Sequence, residues 1–301
     1  MRIAAMDLGT NTFRILISEY TGDKLKNIYR ETNITRLGEG LNKDYLINDS
    51  AVNRSTEILK KYKSISEQYG VSKVVATGTS AFRNALNSDK IVSYFREEAG
   101  IDIEVITGEK EAALTVKGVL ECMNQKLDSF YHMDIGGGST EISLIVNGKI
   151  EFSVSIELGV VSLAEDSDLN TTDIKLISDK VSNVISSSLK HSKNQNTRLP
   201  LVATSGTPIV VACILISLKE FNASRVNGMR VDLEQIEEIK KTLIKDNDSN
   251  ELMKYGDILK GREDLIVPGT IILSETMKIL RNDCMIISES GLLEGLSYQY
   301  I

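Results

Sequence analysis

Two aspartates open matching phrases: residues 6–15 read MDLGTNTFRI and residues 133–142 read MDIGGGSTEI, so Asp134 repeats Asp7 at an offset of 127 positions. A turn of small residues follows each, Gly9, Thr10, Asn11 and Thr12 in the first and Gly136, Gly137, Gly138, Ser139 and Thr140 in the second. Glycines let a backbone approach a ligand closely and present its N–H groups as an anion nest. The hydroxyls would add donors, and two such turns are suited to gripping successive phosphates. A carboxylate beside phosphate is repelled unless a cation lies between them. Mg²⁺ takes one or two carboxylates together with waters and phosphate oxygens. Asp7 and Asp134 are therefore the expected metal residues, with Mn²⁺ able to replace Mg²⁺. Glu141, on the strand returning from the second turn, is placed to join through a water.

A second pair of segments shares the offset. VVATGTSAF from Val74 matches LVATSGTPI from Leu201. Arg83 follows the first, where a guanidinium can fork onto phosphate oxygens. Gly206 and Thr207 lie in the second, where backbone donors ahead of an apolar helix suit an anion or nucleotide, or a simple helix cap. TGEKEAAL opens another helix with Glu109 and Glu111 in its first turn. Carboxylates are common there because of the helix dipole, yet one of the two is a candidate general base. Two residues apart is about 200° around a helix, so both cannot face the same way. His132 and His191 have no partner at metal or triad spacing and are read as structural. No G-K-[ST] loop, G-x-G-x-x-G fingerprint or Ser-His-Asp arrangement is present.

The elements that must position these groups form an α/β pattern used twice. Each half reads strand, turn, strand, turn, strand, with Gly22 and Gly148 at the second turns. Amphipathic helices over 49–69 and 172–192 follow, then alternating strands and helices, with a helical insertion over about 232–281. The expected domains are 1–124 and 125–301, their turns facing one central cleft, with the last helix packing where the domains meet. The length of 301 residues, 42% hydrophobic and 26% charged with three prolines, suits two ordered domains. A net charge of −7 without a basic block argues against nucleic acid as the partner. Three separated cysteines, Cys122, Cys213 and Cys284, suggest neither disulfides nor a thiolate metal site. The uncharged stretch 199–218 is long enough for a membrane helix, but Thr204, Ser205, Gly206, Thr207 and Pro208 break it into strand, turn and helix. With no signal-peptide pattern at the N-terminus, the cytoplasm is the expected compartment.

Taken together, DLGTNT, DIGGGSTE, GTSAFRNALN, TGEKEAALTVKGV and SESGLLEGL resemble, in order and over nearly the whole chain, the exopolyphosphatase and guanosine pentaphosphate phosphohydrolase family. That family belongs to the actin-like, ribonuclease H-like ATPase superfamily. The resemblance implies two duplicated actin-like domains, Mg²⁺ and an attacking water. It matches Glu111 to the catalytic glutamate, Asp134 and Glu141 to the metal residues, and Arg83 to a phosphate-binding arginine. The implied reaction removes the terminal phosphate from inorganic polyphosphate. Guanosine pentaphosphate or a nucleoside triphosphate is the alternative substrate, and a low-turnover sensor of such ligands the alternative role. Many members carry arginine where this chain has Ala113 and Leu293, which bears on long-chain affinity. Longer relatives carry a helical C-terminal region, and dimerisation through such a region is not expected here; a monomer or homodimer is expected.

Overall fold

The computed structural model describes all residues except 23, 124, 168–173, 191–198, 247, 248 and 301. The expectation for His191 therefore lies outside the described residues. The chain divides into two compact units, Met1–Cys122 with Ser290–Ile301, and Met123–Glu289.

The first unit carries strands β1 (Arg2–Leu8), β2 (Thr12–Thr21), β3 (Lys24–Ile34), β4 (Lys73–Gly78) and β5 (Ile103–Val105), in sheet order β3-β2-β1-β4-β5. β1 is apolar on both faces because it lies in the middle, antiparallel to β2 and parallel to β4. The Asp49–Gln68 helix begins at Asn48, whose side chain accepts from Ala51 N. It buries Val52, Leu59, Tyr62 and Ile65 at helical spacing. The Tyr62 hydroxyl donates to Phe13 O at 2.7 Å, pinning the helix to the start of β2.

The second unit repeats the plan with β6 (Phe130–Ile135), β7 (Thr140–Val146), β8 (Lys149–Ile156), β9 (Leu201–Thr204), β10 (Arg230–Asp232) and β11 (Cys284–Ile287), in order β10-β11-β9-β6-β7-β8. Even the irregularity is duplicated: β2 slips register against β3 between Ile17 and Ser18, and β7 against β8 between Leu144 and Ile145, at the same offset of 127. The stretch 199–218 resolves into β9, a turn at Ser205 and the Gly206–Leu215 helix. No described helix is long and apolar enough to cross a membrane. The insertion supplies the Leu233–Lys245 and Ile266–Ile279 helices, together with the unanticipated edge strand β10.

The structure moves one boundary. Residues 290–301 were expected at the end of the second domain, but they pack within the first unit. Leu292, Leu293 and Leu296 join Ala5, Leu16, Ile106 and Leu114 in one apolar cluster. The Leu292–Ser297 helix meets the Gly108–Cys122 helix backbone to backbone. A side chain on Gly118 would overlap the Gly291 carbonyl, and one on Gly295 would overlap the Leu114 carbonyl. Leu293 is 3% exposed within that cluster. Neighbouring Glu294 takes its cation from β3, through Arg30.

Candidate active site

In the first unit, Asp7 and Arg14 face each other across the β1–β2 hairpin and form an ion pair of 3.1 Å, with Asp7 buried. Where an external cation is expected at Asp7, the chain supplies Arg14, the counterpart of Glu141 at the shared offset. The turn between them closes through Gly9 N to Thr12 O at 3.0 Å. It is backed by residues 35–38: Thr35 N and Arg36 N both donate to Asn11 O, and Gly38 N donates to Thr10 O. Gly38 abuts Thr10 so closely that any side chain would strike it. Inside the turn, Thr10 Oγ1 and Asn11 Oδ1 are buried and make no hydrogen bond in the protein. Such atoms cost roughly 1–3 kcal/mol each, and a ligand or its water shell can satisfy them.

Arg83, on the Ser80–Asn84 helix after β4, reaches the other candidate acid directly. Its Nη1 lies 2.6 Å from Glu111 Oε2 and 3.1 Å from Ile106 O. Glu111 is partly buried in the first turn of its helix, whereas Glu109 and Ala113 are exposed. The helix register thus separates the two glutamates, and Arg83 pairs with Glu111.

In the second unit the turn is built the same way. Gly136 N donates to Ser139 O at 2.8 Å. Val160 N and Val161 N donate to the carbonyls of Gly136 and Gly137, and a side chain on Gly159 would overlap the Gly137 carbonyl. Leu37–Gly38 and Leu158–Gly159 are therefore a further repeat, overlooked because its offset is 121 rather than 127.

The hydroxyls expected to donate to phosphate are used otherwise. Ser139 Oγ donates to Glu141 Oε1 at 2.8 Å and Thr140 Oγ1 to Leu158 O at 2.6 Å, so each proton goes to a protein acceptor. Glu141, 1% exposed, also accepts from Ser155 Oγ at 2.7 Å and stands opposite Asp134 across the β6–β7 hairpin. Two carboxylates directly opposed on adjacent strands repel. Asp134 Oδ1 accepts the hydroxyl of Ser205, whose backbone has φ 76° and ψ −169°. Only glycine is at ease there, and the strain is of order 1–3 kcal/mol.

Ser205 precedes the ten-residue Gly206–Leu215 helix. Beside Gly206 lies Arg262 from the insertion, its Nη1 3.3 Å from where a Cβ would stand. Thr207 is packed against Gly269. Arg262 has no counterpart in the first half, so the repeat gave no signal for it.

His132, two residues before Asp134, is fully buried with Nε2 3.2 Å from Thr204 Oγ1. Burial pushes its imidazole down to about 4, against an upward pull from Asp134. The folded protein leaves it neutral while the unfolded chain protonates it below about 6.5. Its contribution to stability is complete above that value and is lost as pH falls towards 4. A cation on Asp134 would act in the same direction. At about 1.4 kcal/mol per pKa unit the gap is worth about 3 kcal/mol. Denaturant midpoints should therefore fall more steeply between pH 6.5 and 4.5 in the parent than in His132→Gln; parallel curves would assign the acid sensitivity elsewhere.

Among the described residues, no three carboxylate, imidazole or thiol groups gather into a closed metal cage. Asp134 with Glu141 opposite offers instead two acidic groups on one side of a hairpin, which fits a cation that keeps waters and takes phosphate oxygens.

The sequence matches the profile of the Ppx/GppA phosphatase family over residues 16–301. The chain belongs to that family. It is a phosphoanhydride hydrolase of the Ppx/GppA type, on an actin-like α/β fold. It is 29% identical over 304 residues to the bifunctional 3-dehydroquinate synthase/phosphatase of Fusobacterium nucleatum, covering 97% of this chain but 45% of that longer protein. The exopolyphosphatase 2 of Mycobacterium tuberculosis is 27% identical over 313 residues, with 98% and 97% covered. Among solved structures, the Aquifex aeolicus PPX-GPPA enzyme superposes with a TM-score of 0.82 at 26% identity, with 99% of each chain covered. An exopolyphosphatase from Cytophaga hutchinsonii gives 0.90 at 26% identity, covering 100% of this chain and 97% of that one.

Proposed function

We propose that this Ppx/GppA enzyme removes the terminal phosphate of inorganic polyphosphate by attack of water, with Glu111 as general base. The observation that carries the reading is the Arg83–Glu111 pair at the head of the Gly108–Cys122 helix. It holds a carboxylate in one orientation beside a guanidinium able to fork onto phosphate. The water oxygen bonds to the terminal phosphorus and its proton passes to Glu111. The bridging P–O bond breaks, and the shortened chain leaves with the bonding pair. Within the first unit, Arg83 and the N–H groups of residues 9–12 would hold phosphate oxygens, and within the second the N–H groups of residues 136–140 would do the same. Gly38 and Gly159 keep both turns in shape.

Asp134 would hold Mg²⁺ or Mn²⁺, with Glu141 through a water. The ion would neutralise charge on the phosphate oxygens. Asp7 is served by Arg14, a cation built into the chain. The Mycobacterium tuberculosis relative is an exopolyphosphatase, which supports polyphosphate as substrate. Arg262 beside Gly206 and Thr207 favours a second reading, a phosphorylated guanosine nucleotide or nucleoside triphosphate seated at the head of the Gly206–Leu215 helix. A cytoplasmic protein acting as monomer or homodimer, without nucleic acid or membrane as partner, completes the proposal.

Phosphate release measured side by side from polyphosphate, guanosine pentaphosphate and ATP distinguishes the readings. Polyphosphate is expected to be the fastest, and faster turnover of either nucleotide would transfer the assignment to it. Full activity in excess chelator would rule out the metal. Asp134→Asn is expected to raise the Mg²⁺ needed for half activity more than Glu141→Gln does, since the direct ligand outweighs the one acting through water.

A further inference from the structure

We propose that Ser205 is a positioning residue: it accepts a backbone conformation suited to glycine so that its hydroxyl can fix the Asp134 carboxylate while leaving its charge to a cation. The proposal rests on the reading of Asp134 as metal ligand.

Three observations point the same way. First, φ 76° with ψ −169° is a conformation that a serine adopts only when its surroundings enforce it, and residues of this kind gather at functional sites. Secondly, the hydroxyl held in this way donates to Asp134 Oδ1, and its oxygen accepts from no helix N–H, so Ser205 makes no side-chain cap for the helix it precedes. Most serines at that position would do the opposite. Thirdly, the two halves treat their matched aspartates differently. Asp7 is paired with a full positive charge on Arg14, while Asp134 receives a neutral hydroxyl. A neutral donor orients a carboxylate without cancelling its charge, which is what a cation ligand requires of its supporting partner.

A glycine at 205 would suit the backbone better and the carboxylate worse. The two roles can therefore be separated by measurement. Mn²⁺ binding to the substrate-free protein, followed by electron paramagnetic resonance, should weaken about 10-fold or more in both Ser205→Ala and Ser205→Gly, the scale seen when a supporting hydrogen bond to a metal ligand is removed. Their denaturant midpoints should move apart, upward for the glycine variant as strain is relieved and not for the alanine variant. The KM for polyphosphate at saturating Mg²⁺ should be unchanged in both. Parent-like Mn²⁺ binding in Ser205→Ala, with binding lost in Asp134→Asn, would overturn the role of Ser205 and leave Asp134 as ligand. Parent-like binding in Asp134→Asn as well would overturn both. Affinity that tracks the midpoint across the variants would make Ser205 purely structural. A raised KM without a change in Mn²⁺ binding would make it a substrate contact.

Discussion

Replacing Glu111 by glutamine is expected to lower single-turnover phosphate release by about 10²- to 10⁴-fold, the usual scale for loss of a general base. The amide keeps the shape of the side chain and an oxygen for Arg83, so the 2.6 Å contact has a successor and the helix start is undisturbed. What disappears is the ability to take a proton from water. Polyphosphate binding should survive, since removing a negative charge near phosphates does not oppose it. Glu109→Gln is the matched control: it sits in the same first turn, is exposed, and should retain parent-like turnover. If Glu109→Gln proves the inactive variant, the assignment of the base is wrong. If both variants turn over normally, Glu111 is an ordinary helix-dipole partner.

Gly118→Ala should destabilise the protein by about 3 kcal/mol or more, and here the sign itself is diagnostic. Helix propensity alone predicts a gain of about 1 kcal/mol when alanine replaces glycine within a helix. However, the methyl would run into the Gly291 carbonyl, and backbone cannot turn aside as a rotamer can. The Gly108–Cys122 and Leu292–Ser297 helices would have to separate, opening the cluster around Leu114, Leu292, Leu293 and Leu296. Gly295→Ala meets the Leu114 carbonyl and should behave alike. Urea midpoints of the two single variants and the double variant test this. Because both changes open one interface, the double variant should lose less than the sum of the singles. A stabilised Gly118→Ala would refute the close packing.

The repeated half was legible because hairpin register carries side-chain chemistry with it. An offset that aligns Asp7 with Asp134 also aligns Thr77 with Thr204 and, in the folded chain, one register slip with the other. Arg14 stood within the phrase that revealed the repeat. Its meaning lies in how Arg14 differs from Glu141, which a repeat, defined by what the halves share, does not show. Gly38 and Gly159 follow third strands of unequal length, so a fixed offset misses them. Arg262 lies in an insertion and its partner Gly206 is distant in sequence; only the fold brings them together. The placement of residues 290–301 was hidden for another reason. An apolar pattern shows that a helix will bury one face, but not which of two cores receives it. Ser205 opens the SGT turn where an anion or a helix cap is expected, but its bond to Asp134 depends on a backbone angle that no sequence pattern shows.

The return of residues 290–301 to the first unit sets a timetable for the newborn chain. Everything else in that unit has been made by Cys122, yet its apolar cluster lacks Leu292, Leu293 and Leu296 until those residues emerge. At roughly 5–20 residues per second, the wait while the second unit is synthesised is on the order of ten to thirty seconds. For that interval the ribosome carries a first unit whose Glu111-bearing helix has no lid over Gly118, while the second unit can close as soon as its own residues are out. The earlier half of the message thus becomes the later half of the fold, and the open face around Ala5, Leu16 and Leu114 is where a chaperone would find purchase during translation.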